Sequence, residues 1–267
     1  MAAHAIAPYP AGVERWSSGD KYEPYVGRWS RVVGREFLGW LAQPAGLRWL
    51  DVGCGTGALS QTILATANPA EVVGLDRSPE YAEYARRSTA DARARFVVGD
   101  AETLLDERFD VIVSGLVLNF VPDKARALRR MREAGGTVAA YVWDYAGGMQ
   151  LMKYFWDVAG ELDPEHRDLD EGTRFPFTKP DPLETMFGEA GFAEVESREI
   201  VVPTVFRDFD DYWAPFLGGQ GAAPAYVSTM TDDLRDEVRN ALRARLPVES
   251  DGSIRLTARA WAVRGIS

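Results

Sequence analysis

Leu50-Asp51-Val52-Gly53-Cys54-Gly55-Thr56-Gly57 is the stretch that decides the fold. The run that leads into it, Leu47 to Val52, is short, apolar and stopped by glycine, so it reads as a buried strand. Ala58 to Ala67 follows as a helix, with Leu59, Ile63 and Leu64 on one face. The glycines between them let the chain turn tightly and let a ligand touch backbone without a side chain intervening. The helix N-terminus behind the turn offers backbone N–H groups that have no partner within the helix.

Working outward, strands and helices alternate, which is the signature of a mostly parallel sheet with helices on both faces. Glu71 to Leu75 is a second strand that ends at Asp76, and Ser78-Pro79 opens a helix through about Arg87, because proline suits the first helical turn. Arg95 to Val98, Asp110 to Ser114 and Thr137 to Trp143 are the next three strands, with a helix over Asp123 to Arg132. Further on, Met149 to Leu162 reads as a helix. Asp181-Pro182-Leu183-Glu184 reads as a helix start with an acidic cap, and Gly191 as that helix's end. Ala193 to Phe206 is a long strand rich in Val and Ile. Thr231 to Leu246 is a helix, and Arg255 to Arg264 a last strand. No repeat or linker divides the 267 residues, so a single domain is expected: 1–20 a flexible N-terminus or lid, 21–46 a helical cap, 47–145 a ligand-binding core, and 146–267 substrate-side helices and the last two strands.

Composition narrows the partners. The net charge of −10 repels phosphate backbones, so nucleic acid is disfavoured. The densest basic stretch, Arg126 to Arg132, is interleaved with Ala127, Leu128 and Met131 and reads as the solvated face of a helix. One cysteine and two histidines, scattered, make neither a disulfide nor a zinc site, so no metal is expected. No apolar run approaches the roughly 20 residues of a membrane span, and no signal-peptide core is present. The expected location is the cytoplasm; oligomeric state is not legible.

The glycine loop by itself fits two ligand classes, because Gly53, Gly55 and Ala58 also satisfy a loose dinucleotide fingerprint. Three acids bear on the choice. Asp51, two residues before the first glycine, suits a cationic ligand better than a pyrophosphate. Asp76 ends the second strand 19 residues after Gly57, where a carboxylate can accept from both ribose hydroxyls; nicotinamide enzymes share this feature. Gly99-Asp100-Ala101 ends the third strand, where a carboxylate can accept from an adenine amino group.

In this order and spacing, Asp51 to Gly57, Asp76 and Gly99-Asp100-Ala101 resemble the first three motifs of the class I S-adenosylmethionine-dependent methyltransferases. The likeness is to the small-molecule branch that includes the ubiquinone and menaquinone biosynthesis methyltransferases, and it covers about Tyr22 to Tyr145. It implies an α/β, Rossmann-like, seven-stranded and mostly parallel sheet with the last strand antiparallel, an N-terminal helical cap and lid insertions. It implies S-adenosylmethionine as cofactor and S-adenosylhomocysteine as product. Asp51 and the backbone of Gly53, Cys54, Gly55 and Gly57 would face the methionine part, and Asp76 would hold the ribose with Arg77 flanking the adenine. Asp100 and Ala101 would meet the adenine edge, and Gly115 and Leu116 would lie beneath the sulfonium. Tyr22 to Ser30 resembles the branch's helical cap, in which Arg28 would pair the methionine carboxylate and Tyr25 would wall the site.

The chain departs from the branch twice. Arg132-Glu133-Ala134 runs directly into Gly135-Gly136, so the turn before the fifth strand is short and lacks its proline. Asn119 stands where relatives often carry histidine, which excludes a histidine base there.

The implied acceptor is a small, partly apolar metabolite. Asn119, Trp143, Phe175, Tyr212, Trp213 and Phe216 are candidate pocket residues; Asp144, Tyr145, Asp170 and Glu171 are candidate proton acceptors. His166, in a polar stretch, reads as a surface histidine. Asp210 to Gly221, aromatic and glycine-rich, is expected to form part of a lid. The alternatives are a protein or RNA methyltransferase, a nicotinamide oxidoreductase, and a catalytically silent S-adenosylmethionine-binding protein. Against the first, the Asn-Pro-Pro-aromatic tetrapeptide of adenine and glutamine N-methyltransferases is absent from this chain, since Asn119 is followed by Phe120-Val121-Pro122. The second is disfavoured by Asp51 and Asp100.

Overall fold

The computed structural model describes residues 28–218 and 221–267, with Arg28 described by its backbone alone. Among the described residues the first element is α1 (Arg28–Leu41). Then follow β1 (Arg48–Val52), α2 (Ala58–Thr66), β2 (Glu71–Asp76), α3 (Pro79–Ser88), β3 (Ala94–Val98) and β4 (Phe109–Gly115). A 3-10 turn over Leu118–Phe120 leads to α4 (Lys124–Ala134), β5 (Gly135–Trp143) and α5 (Gln150–Leu162). After a 3-10 turn over Pro164–Leu169 come α6 (Glu171–Arg174), α7 (Pro180–Glu189), β6 (Ala193–Phe206), α8 (Phe209–Trp213), a 3-10 turn over Ala214–Leu217, α9 (Ala222–Thr229), α10 (Asp232–Arg245) and β7 (Ile254–Ile266).

The seven strands run in the order β3-β2-β1-β4-β5-β7-β6. β1 pairs in parallel with both β2 and β4, β2 with β3, and β4 with β5, while β7 lies antiparallel to β5. This is the implied sheet, with the last strand reversed. β1 has neighbours on both sides and is buried from Trp49 to Val52, which is why its sequence is a continuous apolar run rather than an alternating one.

The chain forms two compact units, neither contiguous in sequence. Of the described residues, the sheet unit holds 28–144, Phe177–Val202 and Arg259–Ser267. Its interior holds Leu50, Val52, Val73, Ile112, Leu128, Val138, Phe187 and Val263. The second unit contains Tyr145–Pro176 and Pro203–Ala258. Its interior is a run of rings: Phe155 stacks on Phe216 at 4.6 Å between centroids, Trp156 on Tyr226 at 5.8 Å, and Tyr212 meets Phe206 at 5.3 Å.

Short-range chemistry sets most boundaries. Ser78 caps α3 by accepting from the Tyr81 N–H at 3.2 Å, with Pro79 in the first position, and Asp123 and Thr231 cap α4 and α10 in the same way. One expected start is corrected: α7 begins at Pro180, two residues earlier than the Asp181-Pro182 reading. Pro180 also fits the first turn, and Lys179 precedes it without a side-chain cap. The short turn before the fifth strand is shorter still than the sequence suggests, since α4 passes into β5 with no residue between. Gly135 permits this, because a Cβ there would stand 2.7 Å from Ile112 Cδ1.

Candidate functional site

Parallel pairing brings the carboxyl ends of β3, β2, β1 and β4 to one edge of the sheet, so Asp100, Asp76, the glycine loop and Gly115-Leu116 are brought together there. The loop is built from left-handed backbone. Gly53, Gly55 and Gly57 have φ of +74°, +53° and +87°, which glycine adopts without the steric cost other residues meet. At Gly53 a Cβ would stand 2.4 Å from Val117 Cγ1, and at Gly57 3.2 Å from Ala85 Cβ. A Cβ at Gly55 would meet nothing within 4 Å, so this peptide is the open face of the loop. Two backbone bonds tie the loop to β2: Gly53 and Cys54 N–H donate to Leu75 O at 2.7 and 3.0 Å. The Cys54 side chain is buried with Ala85 and Phe96, so only its backbone belongs to the loop's open side. Burial pushes its thiol well above the usual value.

Two carboxylates lie behind the loop. Asp76 is 9% exposed; its Oδ2 accepts from Gly55 N–H and its Oδ1 from Ser78 N–H, each at 2.9 Å. Each oxygen keeps a second lone pair for a further donor. Burial raises its pKa, opposed by those two N–H groups and by Arg77. Asp51 is 1% exposed and its Oδ2 accepts from Ser60 Oγ at 2.7 Å. Burial pushes its carboxyl up to about 7, against the lowering effect of Ser60, and the negative charge of Asp76 pushes the same way as burial. Ser60 carries no signature in the sequence, since a serine in the first turn of a helix is common.

Arg77 is exposed at the tip of β2. Asp100 is exposed as well, with Oδ1 accepting from Glu102 N–H at 2.8 Å, and Ala101 packs on the sheet interior. Gly115 is held close to the Tyr141 hydroxyl, 2.6 Å from where its Cβ would lie. Leu116 follows with φ of +63°, a strained conformation for leucine, and its N–H donates to Tyr141 O at 2.8 Å. Asn119 is buried, and its Nδ2 has no hydrogen-bond partner among the described residues; the same holds for Trp143 Nε1. Tyr25 and the side chain of Arg28 lie outside the described residues, as do residues 1–20 and Gly219-Gln220.

Asp144, at the end of β5, is 4% exposed. Its Oδ2 accepts from Arg259 Nε at 2.7 Å and lies 2.6 Å from Arg259 Nη2, while Arg259 Nη1 also reaches Glu199 at 3.0 Å. This carboxylate holds the end of β5 to β7. Arg259 was not singled out from the sequence, because the pairing spans 115 residues.

The second unit gathers Tyr145, Glu171 and Phe175. Rings of Tyr145 and Phe175 lie 5.7 Å apart, and a Cβ on Gly172 would stand 3.0 Å from Tyr145 O, so α6 packs backbone to backbone on the residues after β5. Glu171 is 5% exposed and accepts from Trp156 Nε1. Asp170 caps α6 through Gly172 N–H at 2.8 Å, and burial raises its pKa. Tyr212 and Phe216 have no exposed surface and Trp213 is 5% exposed. The Tyr212 hydroxyl donates to Leu151 O at 3.0 Å, so these three rings are packed inside the unit rather than spread over its surface.

His166 is half-buried and networked instead of being an open surface histidine. Its Nδ1 lies 2.8 Å from Asp163 Oδ2, which also accepts from Tyr226 Oη at 2.7 Å. The rise of α5 separates Asp163 from Met149 by about 20 Å, so this network sits at the far end of the helix from the residues after β5. Among the described residues no group of three His, Cys, Asp or Glu could hold a metal, and no helix is long and apolar enough to cross a membrane.

A family profile described as "Methyltransferase domain" matches residues 44–156. The chain is 31% identical over 187 residues to a 2-methyl-6-phytyl-1,4-hydroquinone methyltransferase of Synechocystis, covering 67% of this chain and 57% of that one. It is 33% identical over 174 residues to a demethylmenaquinone methyltransferase of Staphylococcus aureus, covering 57% of this chain and 70% of that one. The chain therefore spans little more than half the length of its Synechocystis relative. Among solved structures, the YcgJ protein of Bacillus subtilis shares the fold, with a TM-score of 0.55 at 19% identity over 88% of this chain and 98% of its own.

Proposed function

The chain belongs to the class I S-adenosylmethionine-dependent methyltransferases, and we propose that it transfers a methyl group from that cofactor to a small, partly apolar acceptor. The observation that carries this reading is the pair of buried carboxylates behind an open glycine backbone. Burial raises the proton affinity of both Asp51 and Asp76, the charge of Asp76 adds to that of Asp51, and no ion pair to either is made among the described residues. Such a site repels a pyrophosphate and suits a ligand with cationic groups beside a ribose.

The residues present fit the cofactor. When bound, S-adenosylmethionine supplies a methyl group already activated by its sulfonium. The Gly53–Gly57 backbone and Asp51 are proposed to hold the methionine end, Asp76 the ribose with Arg77 beside the adenine, and Asp100 and Ala101 the adenine edge. Gly115 and the strained Leu116 are proposed to support the reacting end, with Tyr25 and Arg28 completing the set.

For the acceptor, Asn119 has an unpartnered buried amide N–H to offer, and Trp143 an indole N–H. In the second unit, Tyr145 and Phe175 form a ring pair beside Glu171. We assign any proton acceptor to Tyr145 or Glu171, because Asp144 is engaged by Arg259. Tyr212, Trp213 and Phe216 are proposed as acceptor-pocket residues that act through the packing of the second unit. The two relatives are named for methylating a hydroquinone and a demethylmenaquinone, which supports an acceptor of that kind; a cytoplasmic location is part of the same proposal.

Calorimetry with S-adenosylmethionine, S-adenosylhomocysteine and NAD tests the reading. Binding of both adenosyl compounds and not NAD is expected; NAD binding alone would sink it. Labelled methyl transfer into a metabolite extract then identifies the acceptor.

A further inference from the structure

The helix behind the glycine loop carries three hydroxyl groups, and they behave differently. Thr62 and Thr66 fold back on the carbonyls one turn earlier, donating to Ala58 O at 2.7 Å and Thr62 O at 2.8 Å. This is the default for a hydroxyl inside a helix. Ser60 instead reaches across to the end of β1 and donates to Asp51 Oδ2 at 2.7 Å, with both residues buried, at 0% and 1% exposure. No basic side chain forms an ion pair with Asp51 among the described residues.

The ionisable groups that face Asp51 are unfavourable to its charge: Asp76 at the end of β2 is a like charge, and the Cys54 thiol in the loop is held neutral. Hydrogen bonds to the ionised form favour it, and the Ser60 hydroxyl donates one to Asp51 Oδ2.

Resting on the cofactor reading above, we propose that Ser60 is a positioning residue for S-adenosylmethionine: its hydroxyl holds the buried Asp51 carboxylate in the ionised form that the cationic methionine end requires. Cofactor affinity is then linked to a proton on Asp51, and Ser60 sets the pH at which the link acts. Protonation of Asp51 competes with the cationic ligand, so affinity falls as pH falls, and loss of the serine hydroxyl moves that fall to higher pH.

The test measures affinity for S-adenosylmethionine and S-adenosylhomocysteine by calorimetry between pH 5.5 and pH 9, together with the urea stability of the ligand-free protein over the same range. Wild type should lose affinity as pH drops through about 7. Ser60→Ala should show the same fall displaced upward by about one pH unit, so that it binds about tenfold more weakly at pH 6, about fivefold more weakly at pH 7 and close to wild type at pH 9. Ser60→Thr should restore the wild-type profile, and Asp51→Asn should remove the pH dependence. A Ser60→Ala profile that superimposes on wild type, or lies below it by one factor at every pH, overturns the proposal, since a merely structural serine would do the latter. If wild type binds neither adenosyl compound, the cofactor reading fails by itself. The ligand-free stability profiles then decide the serine's role: a midpoint that moves in Ser60→Ala supports the coupling to Asp51, and an unmoved one rejects it.

Discussion

The glycine-loop edge of the sheet unit and the ring-filled interior of the second unit are made of different materials. At the edge, the groups available to a ligand are backbone N–H groups and short carboxylates, each within a few residues of a strand end. In the second unit the chemistry rests on large rings and on Glu171, whose neighbour Trp156 lies 15 residues away. The first arrangement follows from backbone conformation, which neighbouring residues dictate. The second exists only once helices have packed. The edge should therefore respond to single substitutions mainly through ligand affinity and charge, and the ring cluster mainly through stability.

The largest effect expected is in the rings. Phe216→Ala removes a fully buried side chain stacked on Phe155 and packed against Tyr212, and should cost about 3–5 kcal/mol in urea unfolding. A loss below about 1 kcal/mol would mean the cluster is not a core, and the contrast with the edge would collapse.

At the edge, Asp51→Asn should do the reverse. The carboxyl is raised in the folded state above its ordinary value of 3.8, so the folded protein holds a proton that the unfolded chain has released. Its stabilising effect is full below about pH 4 and is lost as pH rises through about 7. Near pH 8 the ligand-free asparagine variant should exceed wild type by up to about 4 kcal/mol, with the gain vanishing toward pH 4 and cofactor affinity reduced. A wild-type advantage at pH 8 would show that the charge is compensated.

Asp76→Ala should weaken cofactor binding by about 10- to 100-fold, since it removes the acceptor proposed for the ribose and leaves the Gly55 and Ser78 N–H groups without theirs. Calorimetry reads this directly, and an unchanged affinity would take Asp76 out of the site. The smallest effect lies away from both regions. Ala42 ends α1 exposed, with φ of +45°, and Ala42→Gly should raise stability by about 1 kcal/mol in thermal unfolding.

Much of the sheet edge was legible because its signals are local. Gly53, Gly55 and Gly57 announce left-handed backbone, Ser78-Pro79 announces a helix start, and each strand end is marked within a residue or two. The misread start of α7 is of the same kind: Pro180 and Pro182 both suit a first turn, and short-range rules do not choose between them. What escaped was every pairing between distant residues: Ser60 with Asp51, Arg259 with Asp144, and Tyr226 with His166 through Asp163. Composition also suggested aromatic pocket walls without distinguishing a ring that lines a cavity from one that fills a core. Tyr212 and Phe216 lie at 0% exposure.

By itself the sequence determined the order of strands and helices, the glycine turn and the positions of three acids, because φ, capping and apolar periodicity act over a few residues. The tertiary structure decided what those acids are. Whether Asp51 is charged, whether Asp144 is available and whether Glu171 is buried depend on desolvation and on partners from elsewhere in the chain. Those are properties of the packed interior, where removing water from a carboxylate costs more than any local preference supplies.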